Sequence, residues 1–186
     1  MLLQTFYRAI NILKLEKNTY KEISKDKSSF LGSAIVILFA GLVNVYLFKI
    51  FIQPTLPNAV PLAPILFMWV FFNWYVFSNV MLIIAKTFTN ANARTKNLKD
   101  KKIALSLVGF SNTAEIFKIL IIFLPNLIVI ISWGVLMLVI ASQVAGVKQI
   151  YNFDKISTAV AVVILSYIAQ FFIIGLLVLI LVKLAH

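Results

Sequence analysis

Two residues of opposite charge, Glu115 and Lys118, sit three positions apart in an otherwise apolar stretch. A charged side chain near the centre of a bilayer costs about 2.5–3.5 kcal/mol on the insertion scale, so it persists there by pairing or by lining a polar path. Residues three apart share a helix face, and Gly109 and Asn112 precede Glu115 at the same spacing. The stripe Gly109, Asn112, Glu115, Lys118 is therefore expected near mid-depth, turned toward other helices. Two roles follow from its chemistry: a self-neutralising structural pair, or a carboxylate and ammonium that relay a proton or ion. Asn44, Asn73, Asn79, Gln143 and Gln170 are further amides in apolar stretches. They are expected to act as hydrogen-bonding glue worth about 0.6 kcal/mol per interhelical bond. Other chemistry is closed off. The chain has no Cys and its single His is His186, which excludes disulfides, thiolate and histidine metal sites and a Cys nucleophile. No aspartate lies in an apolar stretch, so paired intramembrane acids are absent too. No catalytic residue, metal ligand or cofactor is expected, and no enzyme activity.

The elements that must position these residues are membrane helices. Of 186 residues, 62% are apolar and 12% charged, against about 45–50% and 25% in soluble domains. Mean hydropathy is +1.00. A soluble domain of this size leaves too much surface exposed to hide that content, which excludes a soluble enzyme, a nucleic-acid-binding domain and a disordered chain. A helix needs about 20 apolar residues to cross the hydrocarbon core. Five stretches qualify: about 30–51, 62–85, 104–124, 126–147 and 158–182. The expected fold is all-α: one polytopic bundle of five transmembrane helices over residues 1–186. A four-span alternative places 104–118 on the surface and makes 119–147 one helix kinked near Pro125.

Charge supplies an orientation. Residues 1–29 carry six Lys or Arg, as does the stretch from Lys86 to Lys102, while Lys148 and Lys155 follow the fourth span. The alternate loops carry none, and the tail has Lys183. By the positive-inside rule the N-terminus is cytoplasmic and the C-terminus extracytoplasmic, in the cell membrane. The basic excess thus reports topology and contact with anionic lipid; no nucleic acid is implied. Arg94, Lys96, Lys99, Lys101 and Lys102 are expected on a solvated loop touching lipid headgroups. The Gln53–Pro64 connection holds four of the five prolines and reads as a stiff turn.

Ahead of the first span, Met1–Leu15 lacks the basic start and unbroken apolar run of a signal peptide. Leu3, Phe6, Ile10 and Leu13 recur at helical spacing, with Gln4, Arg8, Asn11 and Lys14 on another face. Such a helix either lies in the headgroup plane or packs on the cytoplasmic ends of the bundle. The cluster Phe67–Tyr75 concentrates aromatics in span two and is expected to anchor at the interface.

The order of these features resembles the Yip family, the Ypt/Rab-interacting integral membrane proteins, in a prokaryotic form. Asn18–Ser29, an aromatic residue followed by a charged amphipathic turn, is similar to the family's approach to its first span. Ala85-Lys86-Thr87-Phe88 and then Leu105–Ser111, with its Gly109-Phe110 pair, resemble the passage from span two to span three. Trp133, Val144–Tyr151 and Ile156–Ala159 resemble the end of span four and the start of span five. The likeness covers about residues 18–182 and implies five spans, a cytoplasmic N-terminus and no chemistry. The sequence departs from the family where Ser111–Glu115 replaces the proline that usually follows the Gly-aromatic pair. The acidic Gly-Pro motif of eukaryotic members is also missing, so Rab binding does not carry over. The expected function is non-enzymatic: organising membrane or recruiting membrane partners, with lipids and other membrane proteins or a second copy as partners. Two other readings stand beside it: an accessory subunit of a larger membrane enzyme, and a small transporter or channel using Glu115 and Lys118.

Overall fold

A computed structural model describes residues 2–26, 28–51, 62–89 and 97–185, all in helices and short turns. The unbroken apolar runs become α3 (Ser29–Phe51), α4 (Leu62–Phe88), α7 (Ile128–Ile150) and α8 (Ile156–Ala185). Between α4 and α7 the third span is composite: α5 (Asn97–Ser111), a 3₁₀ stretch (Asn112–Ile119) and the short α6 (Leu120–Phe123). Ahead of them lie α1 (Leu2–Leu13) and α2 (Lys17–Lys25). Five helical segments are long and apolar enough to cross a membrane: Ser29–Phe51, Pro64–Phe88, Asp100–Phe123, Pro125–Ile150 and Ile156–Ile180. The protein is an integral membrane protein.

The four-span alternative fails at Leu124, whose φ of −131° and ψ of 61° break the helix before Pro125. Pro125 then opens a short 3₁₀ turn, where its missing N–H costs nothing. The chain folds back, so that Ala114 packs against Val135 and Val139 of α7. Two boundaries differ from expectation because helix continues past the apolar stretch. α4 runs on to Phe88, and α5 begins at Asn97, so Lys99, Lys101 and Lys102 belong to a helix rather than a loop. Arg94 and Lys96, and the proline-rich connection from 52 to 61, lie outside the described residues.

Most of the packed core lies in the half of the bundle nearest α1 and α2. There α5 runs through the middle, against α3, α4 and α7. Met81, Ala85, Leu107, Phe110, Val147 and Val162 are fully or almost fully buried. Two close approaches make this possible. A Cβ at Gly109 would lie 2.6 Å from that of Ser33, and one at Gly146 would lie 2.1 Å from Leu107 and 2.9 Å from the Tyr20 ring. Trp74 belongs to this core rather than to an interface belt: it is 9% exposed, stacks on Phe30 and donates from Nε1 to the Leu105 carbonyl at 2.8 Å. Met68, Trp69, Phe72 and Tyr75 of the same aromatic cluster are exposed, but Phe72 and Tyr75 lie near the middle of α4 and Trp69 lines the cavity described below.

The first helix is turned the opposite way from a water-facing amphipathic helix. α1 packs on α3, α5 and the 3₁₀ stretch with Thr5, Arg8 and Asn11 buried beside Ala9 and Ile12, while Gln4 is exposed. Leu2, Leu3, Phe6, Tyr7 and Ile10 are exposed. Arg8 fixes it there, donating to Asp26 Oδ2 at 2.7 Å and to Ser29 Oγ at 3.0 Å. Asp26 in turn accepts from the Ser28 hydroxyl and amide at 2.7 and 2.8 Å. The helix closes with Glu16 N–H on the Asn11 carbonyl and Leu15 at a φ of 56°, which leads into α2. Leu13 reaches the Ala114, Val135 and Val139 cluster.

The glycine contacts make a paired prediction. Gly146→Ala is expected to destabilise by about 1–3 kcal/mol through overpacking, because Leu107 and Tyr20 are both fully buried and have nowhere to move. Gly134→Ala, where nothing lies within 4 Å, is expected to leave stability equal or slightly higher. Thermal unfolding of the two variants in detergent checks both.

Candidate functional site

In the other half of the bundle the third span moves out of the centre and joins the wall. α3, α4, α8, α7 and the 3₁₀ stretch pack each on the next in a closed order. Inside this ring is a cavity of about 690 Å³. Its inner end is formed by Ile37, Trp74, Phe77 and Val108. Its far end is apolar, with Phe48 and Phe51 of α3, Leu66 of α4 and Ile121 and Ile128 beside the Pro125 turn.

Between these ends lies a polar belt. The sequence stripe supplies one wall, and the 3₁₀ winding improves its alignment. At about three residues per turn, side chains three apart eclipse, so Asn112, Glu115 and Lys118 all line the cavity, with Ile121 of α6 following them. An α-helix would rotate each one about 60° from the last. Gly109 is the exception, since it is used up in the contact with Ser33.

Glu115 and Lys118 do pair, at 2.5 Å, with side chains 17% and 22% exposed. Their third partner is Asn44 of α3 rather than Asn112. Asn44 Nδ2 donates to Glu115 Oε2 at 3.2 Å, and Lys118 Nζ donates to Asn44 Oδ1 at 3.5 Å. Asn112 instead donates to its own Val108 carbonyl at 2.7 Å. Across the cavity, Gln170 Nε2 donates to Asn73 Oδ1 at 2.9 Å, joining α8 to α4. Gln143 completes the belt from α7. It is 2% exposed, and its Oε1 has no hydrogen-bond partner among the described residues. Asn79 stays outside the belt, partly buried and donating to the Tyr75 carbonyl one turn back.

The convergence of Asn44, Asn73, Gln143 and Gln170 on one space was not visible in the sequence, where each amide stood alone on its helix. The remaining signal was their number in apolar stretches. Of the basic residues, Lys101 is turned to protein: Nζ reaches the Tyr75 hydroxyl at 2.7 Å and stands 4.7 Å over that ring. Lys102 is exposed. Among the described residues no group of His, Asp and Glu is placed to hold a metal.

A five-span bundle with a buried core at one end and a polar-belted cavity at the other is a polytopic membrane protein of compact type. Residues 10–182 match the Yip1 domain. The chain belongs to that family. No curated protein and no solved structure matches it.

The pair can be tested as a unit. Glu115→Leu leaves Lys118 with Asn44 alone and is expected to cost about 1–3 kcal/mol, the range for a group deprived of its partner. Lys118→Met should cost a similar amount. The double variant should recover most of the loss, since removing both charges removes the need for pairing. A double-mutant cycle by chemical unfolding in micelles measures the coupling.

Proposed function

We propose that this Yip1-family chain is a non-enzymatic organiser of the membrane that shapes one leaflet and recruits membrane partners. The observation that carries the reading is the inverted α1. Its polar side is tied to the bundle through Arg8, Asp26 and Ser29, and its apolar side, including Leu3, Phe6 and Ile10, is exposed. A helix presenting such a side beside membrane spans inserts among lipid headgroups and upper acyl chains. It adds area to one leaflet without crossing to the other. The Lys/Arg distribution supports placing that leaflet on the cytoplasmic side of the cell membrane. The basic residues around the start of α5, with Lys102 exposed among them, suit anionic headgroups in the same plane. Membership of the Yip1 family supports a role without chemistry of its own. A partner chain has room on α8, where none of the described residues after Ser166 is buried.

The test is reconstitution of the full chain in liposomes, read by vesicle diameter in electron micrographs. The chain is expected to narrow vesicles at high protein load. Leu3→Asp/Phe6→Asp should abolish the narrowing while the bundle remains folded, and unchanged narrowing would sink the reading. Acid should act in the same direction. The Asp26 carboxyl is held at about 2, below its ordinary 3.8, by the bonds from Ser28 and then from Arg8. A depressed pKa contributes stability that is present above the ordinary value and lost as pH falls through the folded one. A spin label at Gln4→Cys is therefore expected to be immobile at pH 5 and to loosen as pH drops from about 4 toward 2.

One observation favours a second reading, transport: Glu115 and Lys118 line the cavity rather than a sealed helix contact. That reading requires proton or ion flux in proteoliposomes that Glu115→Gln abolishes without unfolding. Equal flux in the variant and the parent removes it.

A further inference from the structure

The cavity has two chemically different parts, and their order is informative. The amide belt lies deep, next to the buried core, and the apolar section lies beyond it toward the far end of the ring. A molecule filling it needs a polar group at its inner end and an apolar body behind. Charge narrows the head group. Glu115 and Lys118 satisfy each other at 2.5 Å, so the belt offers amides and a neutralised pair rather than a net charge. A phosphate or carboxylate head would be stripped of water there with no free counter-charge to offset the loss. A hydroxyl or carbonyl suits the belt, because amides donate and accept. Gln143 lines this space, and its Oε1, buried without a hydrogen-bond partner among the described residues, becomes available to such a head when the amide turns toward the cavity.

Lipid reaches the cavity along α8, whose lining residues end at Gln170. Phe171, Phe172, Leu176 and Leu179 are all more than half exposed. None of the described residues of α8 after Ser166 is buried, so the far end of the cavity borders lipid on this side, and an acyl chain can enter there. The volume, about 690 Å³, falls among ligand pockets, which run from about 300 to 1,000 Å³.

We propose that the cavity binds an uncharged single-chain lipid of the monoacylglycerol type. Its hydroxyl-bearing head sits in the belt of Asn44, Asn73, Gln143 and Gln170, and its chain lies along the apolar section toward the bilayer.

The test uses the full chain in mild detergent, titrated with monoolein and, separately, with oleoyl lysophosphatidylglycerol, and read by native mass spectrometry. One monoolein is expected to be retained, with the anionic lipid at least about tenfold weaker. Gln143→Leu keeps the shape and removes the amide, and should weaken monoolein about tenfold, the loss of one hydrogen-bonded contact. Ser132→Trp places a large ring at the cavity wall from a position that is only partly buried, so it tests occupancy even if Gln143→Leu fails to fold. It should eliminate the bound lipid. Retention of monoolein by a folded Ser132→Trp would mean annular lipid only and overturn the proposal. Equal or tighter binding of the anionic lipid would overturn the uncharged head.

Discussion

Close approach of the third span to its neighbours, at positions with no side chain to hold them apart, governs the rest of this fold. Gly109 brings α5 onto Ser33 of α3, and Gly146 brings α7 onto Leu107 and Tyr20. With α5 pressed into the centre, one half of the bundle fills completely: Leu107, Phe110, Met81 and Val147 exclude all solvent or lipid. Helix packing in lipid gains little from the hydrophobic effect and relies on such contact. At Asn112 the third span changes to 3₁₀ winding and continues to Ile119. Eight residues at about 2.0 Å rather than 1.5 Å add about 4 Å of length. That segment now sits in the ring between α3 and α7. Filled core and cavity are thus two consequences of one path.

The same central helix explains why α1 can face the wrong way. A groove between α3, α5 and α7 needs covering, and its floor includes Gly32, whose added Cβ would meet Thr5 Oγ1 at 2.7 Å. Arg8 in such a place requires partners, since an unpaired buried guanidinium is costly. Asp26 and Ser29, at the junction of α2 and α3, supply them. The charge that would ordinarily keep this face in water becomes the clasp that holds it to protein. What remains outside is apolar except for Gln4, and needs lipid.

The sequence made the coarse architecture readable because lipid imposes it. Apolar runs of about 20 residues are helices whatever their neighbours do, so the spans at 30–51 and 126–147 came close to α3 and α7. The pairing of Glu115 with Lys118 was legible for a local reason: both lie on one short segment, three apart. Asn44 was not, because it joins the pair from a helix 71 residues away in sequence from Glu115. The orientation of α1 was hidden as well. A period of hydrophobicity identifies two faces but does not say which is outward when lipid as well as water borders the helix. The 3₁₀ stretch likewise carries ordinary helix-forming residues, and its winding follows from where α3 and α7 hold it. Trp74 read as an interface anchor because it sits in an aromatic cluster; its partner, the Leu105 carbonyl, is a backbone atom that no side-chain pattern reveals.

Stability alone does not account for the belt. An interhelical hydrogen bond in a membrane is worth about 0.6 kcal/mol on average, whereas a buried polar group left without a partner costs about 1–3 kcal/mol. Gln143, with one end of its amide unpartnered, therefore weakens the fold relative to an apolar residue of its size. A cavity of about 690 Å³ weakens it again, through the dispersion contacts its walls forgo. Packing selection would remove each of these independently, by Leu at 143 and by larger side chains at Ala40 or Ser132. Both features occur in one place, with the amides at one end and aromatic and aliphatic walls at the other. Two costs that share a location and a polarity have one explanation in a bound amphiphile.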